Sequence, residues 1–326
     1  MRRILRPMAM ASLGLQKGWK GGSGLMSLTS LLTFDWKATL GGQEITEEQF
    51  EELRKHAGHL VRFGNDYVYA TASEIDSILK RLSGKVQRPS RLRLLEAALS
   101  GTYEGSGVFM DNKIRKAIDK ELRTPAAKVP EGLHATLRPY QERGYSWLMH
   151  NIRASMGSII ADDMGLGKTV QVIAALEALR AAGELSKTPA LVTVPASVVI
   201  NWTRELKRFA PELTVNVYYG TQRSLGPEAN VLLTTYGTLR QDIEKLKGIK
   251  WRVAVADEAQ NIKNPGSQIF QDMCIIKADS AIAMSGTPVE NRLADYWAIM
   301  EFVNPGLFGT LGSFTSDYAQ PIERNR

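Results

Sequence analysis

The stretch Ser158-Ile-Ile-Ala-Asp-Asp-Met-Gly-Leu-Gly-Lys-Thr169, followed at once by Val-Gln-Val-Ile-Ala-Ala-Leu-Glu-Ala-Leu179, decides the fold. A short apolar run ends in acidic and glycine residues, Gly167-Lys168-Thr169 follows, and then comes a run of good helix formers. That order predicts strand, phosphate loop, helix. The loop N–H groups and the positive end of the helix dipole converge on one place, which suits a polyphosphate. Lys168 is placed to reach the β- and γ-phosphates, and the Thr169 hydroxyl to meet Mg²⁺. The strict G-x-x-x-x-G-K-[ST] pattern fails at its first glycine, where the chain has Asp162; from Ala161 it reads A-x-x-x-G-x-G-K-T, with Gly165 and Gly167 still allowing close backbone approach. The bland alternative is a glycine-rich turn with a solvated lysine. Matching context on both sides favours the phosphate site.

Outward from this stretch, residues 133–326 alternate predicted strands and helices, the pattern of an α/β domain with a parallel sheet. Leu137-Arg-Pro-Tyr-Gln-Glu-Arg-Gly-Tyr-Ser-Trp-Leu148 reads as an amphipathic helix entered through Pro139. Further strands are expected at residues 189–195, 213–219, 230–236, 251–256 and 280–284, with helices near residues 200–209 and 268–277. The polar residues with chemical potential cluster at the C-terminal ends of these strands, where open α/β sheets bind ligands. Foremost is Asp257-Glu258, ending the apolar run Trp251-Arg-Val-Ala-Val-Ala256. A carboxylate there can hold Mg²⁺ directly or through water, and its neighbour can orient or deprotonate an attacking water. An isolated acidic pair is only the start of a loop. One at a strand end, following a phosphate loop, is a metal and catalytic candidate.

Three segments then occur in order: Asp162-Asp-Met-Gly-Leu-Gly-Lys-Thr169, Asp257-Glu-Ala-Gln-Asn-Ile-Lys-Asn264 and Ser285-Gly-Thr-Pro-Val-Glu-Asn-Arg-Leu-Ala-Asp-Tyr-Trp297. Together they resemble the bacterial type of the SNF2 (SWI2/SNF2) branch of superfamily 2 helicase-like ATPases. Leu137-Arg-Pro-Tyr-Gln-Glu-Arg-Gly144 is similar to that family's adenine-recognition segment, and Asn304-Pro-Gly-Leu-Phe308 to the segment after its third motif. The resemblance covers about residues 133–326 and implies a first RecA-like lobe. It implies an ATP-driven translocase on double-stranded DNA that uses Mg²⁺ and remodels DNA–protein complexes, with DNA-bound proteins such as RNA polymerase as targets. By position it implies Gln141, supported by Arg143, on the adenine edge. Gly165, Gly167, Lys168 and Thr169 would hold the phosphates and Mg²⁺. Asp257 would be the metal carboxylate and Glu258 the catalytic one. Ser285 and Thr287 would couple nucleotide to DNA. Thr193-Val-Pro-Ala196 and Thr234-Thr-Tyr236 match the DNA-backbone motifs, which makes Thr193, Thr234 and Thr235 contact candidates. Strand-end turns without a ligand are the competing explanation for these threonines. Gln260 stands where many members have His, a change that bears on coupling more than on hydrolysis.

Residues 31–123 read as a small α+β and helical module, a weaker match to the region that accompanies SNF2 domains in bacteria. Leu32–Leu40 alternates as a strand, and Thr46-Glu-Glu-Gln49 opens a helix with a capping box. Leu60–Tyr69 reads as a hairpin turning at Gly64-Asn65-Asp66. Ser73-Glu-Ile-Asp76 is expected to cap a second helix, and helices follow near residues 91–99 and 111–122. Residues 124–132 form a Pro-punctuated linker. Residues 1–30 are expected to be an unstructured extension. Their apolar run is too broken for a signal peptide.

Composition narrows the class. No apolar run approaches the ~20 residues that span a membrane. Cys274 is the single cysteine, which excludes an intrachain disulfide or a cysteine zinc site and fits a cytoplasmic protein. It is expected to be a buried structural thiol in a helix. Residues 1–130 carry 21 lysines and arginines against 14 acidic residues, and residues 131–326 carry 20 against 20. The basic excess on the N-terminal part can recruit nucleic acid or simply form a solvated surface.

One departure bears on activity. The resemblance implies a second lobe that supplies arginine fingers, and loss of such an arginine costs ~10³–10⁵ in rate in related phosphoryl-transfer enzymes. The chain runs to Arg326, shortly after the third motif. A truncated first lobe, hydrolysing ATP poorly alone, is therefore the expectation. A small-molecule phosphate-loop enzyme and a non-catalytic nucleotide-, DNA- or protein-binding module are the alternatives. DNA stimulation of hydrolysis separates the three.

Overall fold

The computed structural model describes residues 4–15, 32–63, 66–83, 89, 91–122, 124–225, 228–287 and 293–324. They form two compact units that divide between residues 120 and 121.

The first unit opens with β1 (Ile4–Leu5), β2 (Pro7–Leu15), β3 (Leu32–Leu40), β4 (Gln43–Glu44) and α1 (Glu47–Lys55). It continues through β5 (Leu60–Phe63), β6 (Asp66–Tyr69), α2 (Ala72–Ser83), α3 (Arg91–Ser100), β7 (Thr102–Tyr103), β8 (Ser106–Met110) and α4 (Asn112–Leu122). A five-stranded sheet has the order β4-β3-β2-β8-β7 and a three-stranded one the order β1-β6-β5. The capping box before α1 is complete, because Gln49 N donates to Thr46 Oγ1 and Thr46 N donates to Gln49 Oε1.

Two expectations are corrected here. Residues 4–15 are strand rather than unstructured extension, and β2 pairs antiparallel with β3 along its whole length. Ala9, Ala11 and Leu13 point inward and are buried, in strict alternation with more exposed neighbours. Alanine, methionine and glycine are weak strand formers, so the alternation carries little signal until β3 supplies a partner. The cap of α2 is Thr71 rather than Ser73. Thr71 accepts from Glu74 N, and Glu74 accepts from Thr71 N (2.9 Å). Thr71-Ala-Ser-Glu74 supplies the Thr and Glu at the three-residue spacing a capping box needs. Residues 64–65 of the expected turn, and residues 1–3 and 16–30 of the expected extension, lie outside the described residues.

The second unit contains α5 (Pro139–Arg153), β9 (Ser158–Ile160), α6 (Lys168–Ala181), β10 (Ala190–Val194), α7 (Val199–Phe209), β11 (Val215–Tyr218) and β12 (Val231–Thr235). Then come α8 (Tyr236–Gln241), α9 (Ile243–Leu246), β13 (Trp251–Ala256), α10 (Gln268–Ile275), β14 (Ala278–Met284) and α11 (Leu293–Val303). All six strands run parallel in the order β11-β12-β10-β13-β14-β9. Alternate residues feed two cores. Val192, Val231, Leu233, Val253, Val255 and Ile282 pack with α5, α6 and α7. Leu191, Leu232, Ala254, Ala256, Ala281 and Ala283 pack with α8, α10 and α11. The near-continuous apolar strands are the signature of a parallel sheet covered on both faces. Among the described residues no helix is long and apolar enough to cross a membrane. Cys274 is exposed rather than buried, because α10 turns Phe270 and Met273 to the core instead.

Entry to β9 is pinned from far along the chain. Gly157 N donates to Asn304 Oδ1 at 2.8 Å, and a Cβ on Gly157 would lie 1.9 Å from Val303 O. Only glycine fits this approach. At the other edge of the sheet, Asp242 accepts from Arg223 Nε (2.6 Å), Tyr218 OH (3.0 Å) and Lys245 Nζ (3.1 Å), tying the segment after β11 to the end of α8. The Arg223 hydrogen bond, aided by Lys245 and Tyr218, holds its carboxyl at about 2, against an ordinary 3.8. A depressed native value adds stability that is complete above the unfolded value and is lost as pH falls through the folded one. Asp242→Asn is therefore expected to cost about 2 kcal/mol in urea unfolding at pH 7, and the cost should shrink towards zero near pH 2.

Candidate nucleotide-binding site

The loop between β9 and α6 turns on two glycines. Gly165 (φ 82°) and Gly167 (φ 74°) are left-handed, a region that a Cβ makes costly. Gly167 is also the N-cap of α6, and a Cβ there would lie 2.5 Å from Gln141 Nε2. Lys168 folds back over the loop, with Nζ donating to Asp162 O (2.6 Å) and Asp163 O (3.1 Å). Thr169, next on α6, is half-buried. Asp162, standing where the strict pattern has glycine, accepts at Oδ2 from the buried Gln171 Nε2 (2.9 Å). Its side chain thus staples the loop to α6.

Gln141 sits in the first turn of α5 with its amide largely buried. Its Oε1 accepts from Arg138 N (2.8 Å), and its Nε2 donates to Leu166 O (3.1 Å), a carbonyl that Tyr140 OH also reaches (2.9 Å). The amide therefore caps α5 and fastens the phosphate loop. One N–H and one lone pair of the amide are left over for a base edge. Arg143 is exposed on the same helix.

Asp257 follows the last residue of β13, and its N–H donates to Thr193 O (2.9 Å). Its carboxylate is held on both oxygens, by Glu258 N at Oδ1 (2.9 Å) and by Trp202 Nε1 at Oδ2 (2.7 Å). Burial pushes this carboxyl up. The Trp202 and Glu258 N–H groups pull it down again, as does the Lys168 charge, while the Glu258 charge adds to the rise. Burial likewise raises the carboxyl of Glu205, and the Asp257 charge adds to it. Glu258 itself adopts φ 49°, an uncommon conformation for a side chain of this size. Its Oε2 accepts from Gln260 Nε2 (2.7 Å), Gln260 Oε1 accepts from Ser285 Oγ (3.3 Å), and Ser285 Oγ accepts from Thr287 N (3.1 Å). Gln260 thereby bridges the acidic pair to the end of β14. Residues 288–292 of the third motif lie outside the described residues.

The structure places the three threonines expected at the DNA backbone inside the sheet. Thr193, Thr234 and Thr235 are all buried. Thr234 Oγ1 donates to Tyr218 O (2.9 Å), and Thr235 caps α8 by accepting from Thr238 N (3.1 Å). Thr193 Oγ1 is buried with no hydrogen-bond partner among the described residues. Hydroxyls on a strand covered on both faces point into the cores. The exposed groups beside these strand ends are Ala196, Ser197, Gly237 and Arg240.

Among the described residues no cluster of three or more His, Cys, Asp or Glu side chains could hold a metal ion. Mg²⁺ needs few protein ligands when phosphate and water complete its shell. The Asp257 carboxylate, with about half of its lone-pair positions unused, and the Thr169 hydroxyl are hard oxygen donors of that kind. The residues fit a Mg²⁺ ion that arrives with a nucleotide.

A parallel sheet with a glycine loop on its edge strand, and an acidic pair ending a central one, defines the class of helicase-like nucleotide-binding lobes. Residues 140–326 match the SNF2-related domain, and the chain belongs to that family. Residues 3–99 match a second family model, described as SNF2 Helicase protein. The putative ATP-dependent helicase/translocase YwqA of Bacillus subtilis is 36% identical over 332 residues, covering 94% of this chain and 36% of its own. Helicase ssl-1 of Caenorhabditis elegans is 30% identical over 299 residues, covering 88% of this chain and 12% of its own. The chain thus spans about a third or less of the length of these relatives. The Sulfolobus solfataricus SWI2/SNF2 ATPase core in complex with dsDNA superposes with a TM-score of 0.58 at 42% identity, over 61% of this chain and 42% of that one.

Because Gly167 combines a left-handed φ with contact to Gln141, Gly167→Ala is expected to lower stability by about 1–2 kcal/mol. Urea unfolding checks the cost. The variant should also lose affinity for a fluorescent ATP analogue, measured by titration.

Proposed function

We propose that this chain is the ATP-binding lobe of a SNF2-type, DNA-stimulated ATPase, whose complete form translocates on double-stranded DNA and remodels DNA–protein complexes. The carrying observation is the loop between β9 and α6, where Gly165 and Gly167 are left-handed and Lys168 Nζ lies over the loop carbonyls at the same strand ends that carry Asp257 after β13. The solved S. solfataricus core in complex with dsDNA supports DNA as the partner.

Lys168 exchanges its two carbonyl partners for β- and γ-phosphate oxygens, and the loop and α6 N–H groups hold the remaining phosphate charge. Thr169 and Asp257 would hold a Mg²⁺ ion, which would neutralise charge on the transferring phosphoryl group. Glu258 orients and deprotonates the attacking water. The free half of the Gln141 amide reads the adenine, with Arg143 at the outer edge. Gln260 carries displacement of Glu258 to Ser285 and Thr287, and hence towards the DNA side. Beside β10 and β12, the segments that carry Thr193 and Thr234-Thr235 face DNA, with the exposed Ser197 and Arg240 next to them.

Nucleotide binding and hydrolysis by the 326-residue chain, with and without duplex DNA and beside Lys168→Ala, test this reading. Mg·ATP-analogue binding is expected, weakened at least about tenfold in the variant, since a charge-assisted hydrogen bond contributes about 1.5–3 kcal/mol. Turnover by this stretch alone is expected to be slow. Hydrolysis that ignores DNA and survives Lys168→Ala would contradict the proposal.

A further inference from the structure

Asp257 is where three segments of the second unit meet. Its backbone accepts from the buried Tyr236 OH at 2.6 Å and donates to Thr193 O at 2.9 Å, so the main chain is fixed at both ends of the residue. Main-chain position does not fix the carboxylate, because the terminal torsion of aspartate lies in a broad well. The orientation must come from donors. Glu258 N takes one oxygen and the Trp202 indole N–H takes the other.

Trp202 suits an orienting task. The residue is 2% exposed and lies with Val199 and Leu206 of α7 in the core, so apolar contacts help to set its place. An indole N–H only donates and does not titrate at ordinary pH. It fixes one oxygen without competing as a metal ligand and without changing charge.

Building on the nucleotide reading above, we propose that Trp202 is a positioning residue for the metal site. Its indole N–H turns the Asp257 carboxylate so that the remaining lone pairs face the phosphate loop and the Mg²⁺ of a bound nucleotide. Partners that orient a metal-binding carboxylate act on metal affinity, and losing one typically costs roughly 10–100-fold. The rival explanation is that the bond only satisfies a buried indole, as buried tryptophans generally require. The two differ in what happens to the metal.

The experiment titrates a fluorescent ATP analogue into the full chain, in EDTA and across a Mg²⁺ series, for the unsubstituted protein, Trp202→Phe and Val199→Ala. Phe keeps an aromatic ring in the core and removes the N–H. Val199→Ala loosens the same helix without touching Asp257. Trp202→Phe is expected to bind metal-free nucleotide as the parent does, while the Mg²⁺ concentration giving half-maximal tightening rises roughly 10–100-fold. Val199→Ala should follow the parent. Unchanged Mg²⁺ dependence in Trp202→Phe, or an equal shift in both variants, overturns the proposal and leaves the nucleotide reading standing. A parent chain without any Mg²⁺-dependent nucleotide binding overturns both. If Phe prevents folding, site-specific replacement of the Trp202 indole by benzothiophene keeps the ring volume, removes the N–H and is held to the same outcomes.

Discussion

A parallel sheet covered by apolar side chains on both faces can expose polar chemistry only at the ends of its strands. In the second unit Val192, Val253 and Val255 fill one core, and Leu191, Ala254 and Ala256 fill the other. Most inward hydroxyls or carboxylates on such strands find an internal partner or reach the edge. Thr234 takes the first course and Asp257 the second. The site is the place where β9, β13 and β14 run out of core, and its contents follow from what each strand carries in its next residues. The same rule explains why Thr234 and Thr235 of β12 bond within the fold, while the turn beyond them stays exposed.

The loop is organised before any ligand arrives. Gln141 and Tyr140 hold Leu166 O, Gln171 holds Asp162, and Lys168 rests on two loop carbonyls. An ammonium group on neutral carbonyls is satisfied, yet loses little by moving to phosphate oxygens, where the charge-assisted bonds are stronger. The acidic pair is arranged alike. Two N–H donors offset the desolvation of the half-buried Asp257 carboxylate. A further amide, from Gln260, ties Glu258 to Ser285. Little reorganisation is left for binding, the economy expected of a site built on strand ends.

The chain's own letters show much of this and hide the rest for physical reasons. The glycine loop, Asp257-Glu258 and the strands from residue 190 onward are legible, because apolar runs ending in polar residues are strong local signals. The Thr46 capping box is legible because Thr46 and Gln49 stand at the three-residue spacing it needs. Strand β2 is not, since Ala9, Ala11 and Leu13 become an inward row only once β3 lies beside them. Asn304 shows in the sequence as part of a family segment, but its bond to Gly157 spans 147 residues and has no local trace. Trp202 looks like an ordinary core residue of an amphipathic helix, and nothing near it in sequence points to Asp257. Thr193, Thr234 and Thr235 are legible as strand-end hydroxyls but not as buried ones. Hydroxyls at strand ends invite a ligand on paper, and only burial shows where they point.

The central claim is that Lys168, resting on its own loop, belongs to a Mg·nucleotide site shared with Asp257. A crystal structure of the chain with Mg²⁺ and a non-hydrolysable ATP analogue tests it most directly. Lys168 Nζ should leave the carbonyl oxygens of Asp162 and Asp163 for phosphate oxygens, and the Asp257 carboxylate, still held by Trp202, should face the metal directly or through one water. Nucleotide bound elsewhere, or Lys168 still on the loop carbonyls with phosphate present, would contradict it.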